Sequence, residues 1–366
     1  MVANRTQRQP PQQMPARPPT KAPLIIEHFG ETWLRELIDS GYADYGTAIP
    51  EAGAYRASWA SKRCDRSLQY AMAGVPASDE TTVADYWVFW LGSMIHGGVN
   101  MSLRTMGDGW IPDIDFDMRS IGIAGSGHAD LVRFVDEHDE PFEMIEHRRL
   151  ADEAGEVKQD RLGFIEHEYH YATSTVDVGW LKEGQYVAGV MIPTHVAELK
   201  SVGGFVFKKA ATTFQGPPEG PKYGAIIQGA LAAWSLGVDK LVVVNLSKEN
   251  VSPSLAKAYS TSPIGRFAAE WKYSVAEIMP ILEQEVGRIA RVEAAINAGV
   301  LLPRMLHDPE VATGGIVTHP KTGVWRVVDE DGSVVASDTT WMCSYCSHQD
   351  QCIRDGAGTE SVPVSF

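Results

Sequence analysis

Val196-Ala197-Glu198-Leu199-Lys200-Ser201 closes a segment, Tyr186 to Ser201, that reads as strand-forming. Residues two apart in a strand point the same way, so Glu198 and Lys200 share one face with Val196, while Ala197 and Leu199 enter the opposite layer. A carboxylate beside an ammonium at a strand end can hold a divalent metal and steady a water nucleophile or a phosphoryl oxygen. By itself Glu-x-Lys is a weak signal, because most such pairs are solvated strand faces or surface ion pairs. Its meaning rests on what surrounds it.

Upstream, Gly127-His128-Ala129-Asp130-Leu131-Val132 is a Gly-led turn into a strand spanning Gly125 to Val135, with His128, Asp130 and Val132 on one face and Ala129 and Leu131 on the other. One further acid on a neighbouring strand completes a hard-cation site. Asp130 read blandly is a turn residue at a strand edge. Thr81 to Thr105 is a helix candidate whose apolar residues Val83, Trp87, Trp90, Met94 and Met101 recur near helical spacing. It carries Gly92 and His96 four apart on one face, and Gly there allows close approach of another element. Downstream, Pro221 to Leu236 reads as a helix with a stripe of Tyr223, Ile227, Ala230, Leu231 and Trp234. On it Gln228 has the small residues Gly224 and Ala232 one turn to either side. Leu241 to Leu246 is a continuous apolar run, typical of a buried strand. Strands flanking helices imply an α/β fold with a central mixed sheet and helices on its faces.

The remainder is less regular. Residues 1–22 read as a disordered, proline-rich tail. Residues 23–80 form a helical N-terminal region, with a short helix near Thr32–Ile38 and a second over Arg56 to Ala73. The core is expected over 81–262, with an insertion near 136–184. Residues 263–366 are expected to be helical from Pro263 to Ala298 with a break near Pro280, then a hairpin from Trp325 to Ala336 turning at Asp331-Gly332.

The chain has 366 residues and a formal net charge of -15, which counts against nucleic-acid binding unless positive charge is concentrated locally. Bound divalent cations would change the local sign around clustered carboxylates. The sequence holds neither a long apolar run nor a signal-peptide core, so no membrane partner and a cytoplasmic location are expected. Cys343-Ser344-Tyr345-Cys346 and Cys352 form a tight triplet, with Cys64 far upstream between cations in Lys62-Arg63-Cys64-Asp65-Arg66. In a reducing compartment four such cysteines suggest a metal site, and either zinc or iron–sulfur would suit them.

The ordered set His96, Asp130, Glu198 with Lys200, and Gln228 resembles the RecB-like exonucleases of the PD-(D/E)XK superfamily. The cysteine spacing resembles that of the CRISPR-associated and AddB-type members, where one Cys precedes the nuclease motifs and three follow. The resemblance covers roughly Arg56 to Cys352. It implies a restriction-endonuclease-like core binding Mg or Mn through His96, Asp130, Glu198 and the Leu199 carbonyl. It makes Lys200 the charge-stabilising residue and Gln228 an organiser of the site. It further implies a [4Fe-4S] cluster on Cys64, Cys343, Cys346 and Cys352 in the terminal region, and a DNA exonuclease acting on single-stranded ends. Lys208, Lys209, Lys222 and Tyr223, with Phe205 and Phe207 nearby, are the expected substrate contacts. Two departures stand out. The family's Tyr four residues after the Gln is Ala232 here, and the wide spacing from Asp130 to Glu198 leaves Glu146, with Arg148 in the lysine position, as a competing acid. The alternatives are a catalytically inactive DNA-binding or assembly protein on the same fold, and a redox-sensing iron–sulfur protein.

Overall fold

The computed structural model describes residues 54–62, 64–77, 83–104, 106–159, 165–182, 190–212, 218–250, 252, 263–303, 315–318, 325–328, 346–355 and 362–363. The expected N-terminal tail, the helix near Thr32–Ile38, Cys343 and the Asp331-Gly332 turn lie outside them.

The described elements run β1 (Tyr55–Arg56), α1 (Asp65–Met72), α2 (Val83–Arg104), β2 (Trp110–Asp117), β3 (Gly125–Val135), β4 (Glu143–Arg149), β5 (His167–Ala172), β6 (Asp177–Lys182), β7 (Ile192–Val202), α3 (Gly204–Ala211), α4 (Tyr223–Ser235), β8 (Lys240–Ser247), β9 (Ala268–Ser274), α5 (Val275–Asn297), β10 (Val300–Leu301), β11 (Gly315–Thr318), β12 (Trp325–Val328), α6 (Gln349–Arg354) and β13 (Val362–Pro363). The central sheet has the order β1-β3-β7-β8-β9, with β2 also pairing β3. It is mixed: β7 runs antiparallel to β3 and parallel to β8. Helices flank it, so the chain is an α/β protein with a mixed central sheet.

The two sheet faces are packed differently. The main core gathers Val196 and Val243 of the sheet with Ile227, Ala230 and Leu231 of α4 and Ile278, Leu282 and Ile289 of α5. On the other face a smaller cluster of Leu131, Ala197 and Leu199 packs against Val99 and Leu103 of α2. Beyond that helix the same face opens into a cavity of about 850 Å³ with apolar walls from Leu131, Ala197, Leu199, Val242 and Val244. The packed side of α2 therefore carries Val99 and Leu103, whereas Met94 and Met101 of the expected stripe are exposed.

Several expected elements are corrected. The stretch Arg56 to Ala73 is a short strand, a 3-10 turn at Ala57–Ser61 and then α1. Within Pro263 to Ala298, β9 forms first. Helix α5 then runs without interruption through the exposed Pro280. Its start is set by a capping box, in which Ser274 accepts from the Glu277 amide and Glu277 from the Ser274 amide. Among the described residues, strand β12 pairs with the upstream β11.

Alternation in β3 also departs from expectation. Ala129, Val132 and Phe134 belong to the main core, but Leu131 belongs to the opposite cluster. The side-to-side rhythm thus shifts by one residue at Asp130–Leu131. Across the ladder, Pro112 pairs with Leu131 and Ile114 with Ala129, while the intervening Asp113 takes a left-handed backbone (φ 55°). This irregularity sits where Asp130 leaves the ladder.

The insertion after β3 is a separate three-stranded antiparallel sheet, β4-β5-β6. Tyr169, Tyr171 and Leu181 carry it into the main core, and the Arg104 guanidinium lies 3.7 Å from the Tyr169 ring centroid. Its base is latched by Asp136, which accepts from the amides of His138 (2.8 Å) and Glu140 (3.0 Å) and from the hydroxyls of Thr173 and Thr175.

Candidate active site

Strand pairing brings the two acids together. The β3–β7 ladder includes the pair Leu131 and Ala197, so the next step places Asp130 opposite Glu198. There the strands part, and Asp130 Oδ2 accepts the Leu199 N–H at 2.7 Å. That bond fixes the Asp130 carboxylate at the end of β7. His96 of α2 comes to 3.9 Å from Asp130 Oδ1 through Nδ1. The helix can lie so near because Gly92, one turn before His96, has no side chain: a Cβ there would stand 3.2 Å from Ser201 Oγ.

On the other side α4 closes on Glu198. A Cβ on Gly229 would lie 2.6 Å from Leu241 Cδ1 and 3.0 Å from Glu198 Cβ, so glycine sets the helix-to-strand spacing. The neighbouring Gln228 accepts a hydrogen bond from Lys200 Nζ at 3.1 Å through Oε1. The same ammonium makes an ion pair with Glu198 Oε1.

Glu198 is fully buried, and the Lys200 ammonium meets its carboxylate at Oε1. Burial pushes its carboxyl up to about 8, Asp130 adds repulsion in the same direction, and Lys200 opposes both. Lys200 is held above the usual lysine value: burial lowers it, but Glu198 and Asp130 outweigh that effect. His96 is pushed below the usual imidazole value by burial, against the pull of Asp130 and with further help from Lys200 and Lys248. A divalent cation requires a neutral imidazole and ionised carboxylates. Among the described residues, no three His, Cys, Asp or Glu side chains are drawn together tightly enough to make a complete metal shell. His96, Asp130 and Glu198 are nonetheless of donor types that a divalent cation takes.

The competing acid is excluded from this place. Glu146 is exposed on β4 of the separate sheet, and Arg148 there bonds Glu168. Ala232, at the position of the family tyrosine, is buried in the main core. Of the expected substrate contacts, Lys208 and Lys209 form the last turn of α3, and Lys209 pairs with Glu219 at 2.9 Å. Lys222 is exposed at the cap of α4, and Tyr223 is half-buried against the main core. Phe205 is exposed, but Phe207 is core. Sequence reasoning passed over Lys248, whose ammonium donates to the Val88 carbonyl on α2 at 3.4 Å and acts on His96. Its position one residue beyond a buried strand was the available signal.

The cysteines form a second locus. Cys64 caps the N-terminus of α1. Cys346 Sγ donates to Ser67 Oγ at 3.5 Å, and Arg66 Nη1 reaches Cys352 Sγ at 3.9 Å. Burial lowers the Lys62 ammonium, while Cys346 and Cys64 both pull it back up, so the two thiols flank it. The C-terminal segment is fastened to α1 by Tyr70 Oη donating to Asp355 Oδ2 (2.7 Å) and by the Tyr70 and His348 rings, whose centroids lie 5.7 Å apart. His348 is buried and held neutral, down at about 4, by burial and by Lys62. Three of the four cysteines thus lie along α1, Cys64 at its N-terminus, Cys346 at Ser67 and Cys352 at Arg66.

No family model matches the chain, and no curated protein matches its sequence. Among solved structures, one described as "Crystal structure of SSO0001" is similar at 11% identity and a TM-score of 0.37, over 87% of this chain and 95% of that one. That likeness is too slight to carry an argument. Among the described residues, no helix is long and apolar enough to cross a membrane.

Proposed function

We propose that the chain is a metal-dependent nuclease of the PD-(D/E)XK, RecB-like kind, hydrolysing phosphodiester bonds at the ends of single-stranded DNA. The observation that carries this reading is the meeting of Asp130, Glu198, Lys200 and Gln228, from β3, β7 and α4, at the point where β3 and β7 part. A fully buried carboxylate set beside a second acid is costly to maintain. A buried acid perturbed by burial and by a specific charged partner, as Glu198 is, is a functional-site candidate.

His96, Asp130 and Glu198, with the Leu199 carbonyl, would hold Mg or Mn. When bound, the metal would supply charge neutralisation at the scissile phosphate and acidify a water. Lys200 holds its proton in this setting and offers a fixed positive charge to a developing phosphoryl oxyanion. Gln228 keeps the ammonium aimed by accepting one of its protons. Asp130 ties the end of β7 to β3, so the carboxylates and the lysine keep one geometry.

The cysteine locus supports a [4Fe-4S] cluster on Cys64, Cys346 and Cys352, with Cys343 as the fourth ligand. It would staple the C-terminal segment to α1, closing a very long loop in the unfolded chain. The test is hydrolysis of end-labelled single strands by the intact protein with manganese. Loss of cleavage in Glu198→Ala and Lys200→Ala supports the enzyme. An iron-loaded protein that leaves all DNA intact would falsify it.

A further inference from the structure

Strands β7 and β8 end, and the edge strand β9 begins, in one row beyond Lys200. Val202 of β7 pairs with Ser247 of β8, and the Ser247 amide donates to the carbonyl of Phe267, the residue before β9, at 2.6 Å. The Lys248 amide bonds the Val202 carbonyl at 2.8 Å, which places Lys248 in the same row. Helix α3 starts from this edge at Gly204, so Phe205 follows Lys200 by five residues. Two large aromatic rings are therefore left in solvent where the strand carrying Glu198 and Lys200 ends: Phe205 is 54% exposed and Phe267 41%. Each has a cation near its face, Lys209 at 5.9 Å and Arg266 at 6.0 Å from the centroids.

Among the described residues, neither ring belongs to a buried cluster. Phe207, two residues on, fills the small core with Ala211, and Val202, Ala269 and Trp271 pack around it. The chain thus buries one phenylalanine of α3 and leaves the other outside. Leaving two rings in water is unfavourable for folding alone. The local charge also differs from that of the chain. Lys200, Lys208, Lys209, Lys248 and Arg266 are gathered here, and of the nearby carboxylates among the described residues Glu219 pairs with Lys209, Glu270 pairs with Lys272 and Glu249 packs against Gly204.

We infer that Phe205 and Phe267, with Lys248 and the α3 lysines, form a stacking rim that grips the unpaired bases and backbone of a single-stranded nucleic acid as it enters the Glu198–Lys200 centre. This rests on the nuclease reading and deepens it by naming the groups that select strand form. Rings accept any base by stacking, cations follow the phosphates, and a duplex offers neither free base faces nor a bendable backbone to such a rim. The rim therefore favours unpaired over paired substrate and has little sequence preference.

The test uses the full-length protein in chelator, so that binding is read without cleavage. Fluorescein-labelled oligothymidine, oligouridine and a hairpin duplex are titrated by anisotropy. Phe205→Ala and Phe267→Ala are each expected to weaken binding of the single strand about tenfold, the double variant more, and Phe205→Trp to restore it. Far-UV dichroism is expected to be unchanged, since both rings are exposed. Alanine variants that bind single strands like the parent, or a parent that prefers the duplex, overturn the rim. Oligothymidine and oligouridine bound alike support it; a marked preference for one assigns selection to sugar contacts and counts against ring stacking as the main grip. The two readings fail separately. Normal binding by the alanine variants alongside Glu198-dependent hydrolysis removes the rim and keeps the nuclease. Ring-dependent binding without hydrolysis under any metal does the reverse.

Discussion

The carboxylate centre and the cysteine locus both join distant parts of the chain, but they are held by different means. At the centre, main-chain pairing does the placing: Asp130 and Glu198 stand opposite because β3 and β7 share a ladder, and the Leu199 amide fixes one to the other. At the cysteine locus, side chains join the C-terminal segment to α1: the Tyr70–Asp355 bond, the Tyr70–His348 ring contact, and the approaches of Cys346 to Ser67 and Arg66 to Cys352. A ladder is set by many bonds at once, whereas a side-chain docking is lost a contact at a time. The lesson is that the acids are placed by a strand ladder, whereas the segment carrying Cys346 and Cys352 is docked on α1 by side chains.

The strongest way to break this comparison is to cross the two loci. Glu198→Ala is expected to reduce manganese-dependent cleavage by roughly a thousandfold while keeping iron and the visible thiolate-to-iron absorption. Cys352→Ser is expected to lose that absorption and to expose the C-terminal segment to protease. Iron lost in the first variant, or retained in full by the second, would dissolve the division. Smaller, but still large, is the effect expected of Gly229→Ala. Its methyl group meets Leu241 and Glu198, so denaturant midpoints are expected to show a loss of about 1–3 kcal/mol, with cleavage falling as α4 moves off β7.

The buried acid gives a pH dependence that the cysteine locus opposes. The Glu198 carboxyl goes from a usual 4.5 to about 8, so the folded state holds its proton more tightly than the unfolded chain does. Stability is therefore fullest at the acid end and is lost as pH rises across that window. Metal-free protein is expected to melt at progressively lower temperature between these values, Glu198→Gln to flatten the trend, and manganese to raise the alkaline end. His348 works in the other direction: it falls from 6.5 to about 4, so its contribution is present above the first value and is lost as pH drops through the second. A His348→Asn variant whose acid-side melting matches the parent would contradict that account. The smallest effect is expected at Glu146, exposed on the separate sheet: Glu146→Ala is expected to cleave within about twofold of the parent, as surface changes usually behave.

Much of the centre could be read in advance because its parts lie on regular elements. The period-two pattern around Glu198 and the helical stripe around Gln228 gave both their elements and their facing sides. The β3 reading failed at Leu131, since alternation rules assume an unbroken pleat and the rhythm slips beside Asp130. Strand β9 was hidden because Ala268–Ser274 is only half-buried and sits between helical-looking stretches, yet Ser274-Val275-Ala276-Glu277 carried the boundary in plain view as a capping box. The cysteine spacing pointed to a shared locus. Lys62, Arg66, Ser67 and His348 could not be placed around it, because they meet through tertiary docking, which leaves no periodic trace.

The long gap in sequence between the two acids loses its force once the ladder is followed to its far end. Val135 pairs with Ile192, so the chain departs from and returns to the sheet at adjacent points. Strands β3 and β7 are in effect one hairpin whose turn has swollen into a small subdomain. What the turn contains can change in length without moving one carboxylate relative to the other. The same arrangement has a weakness: a slip of one residue in those five pairs would carry Glu198 and Lys200 to the wrong side of the sheet together, so selection on this site acts on register before it acts on the acids.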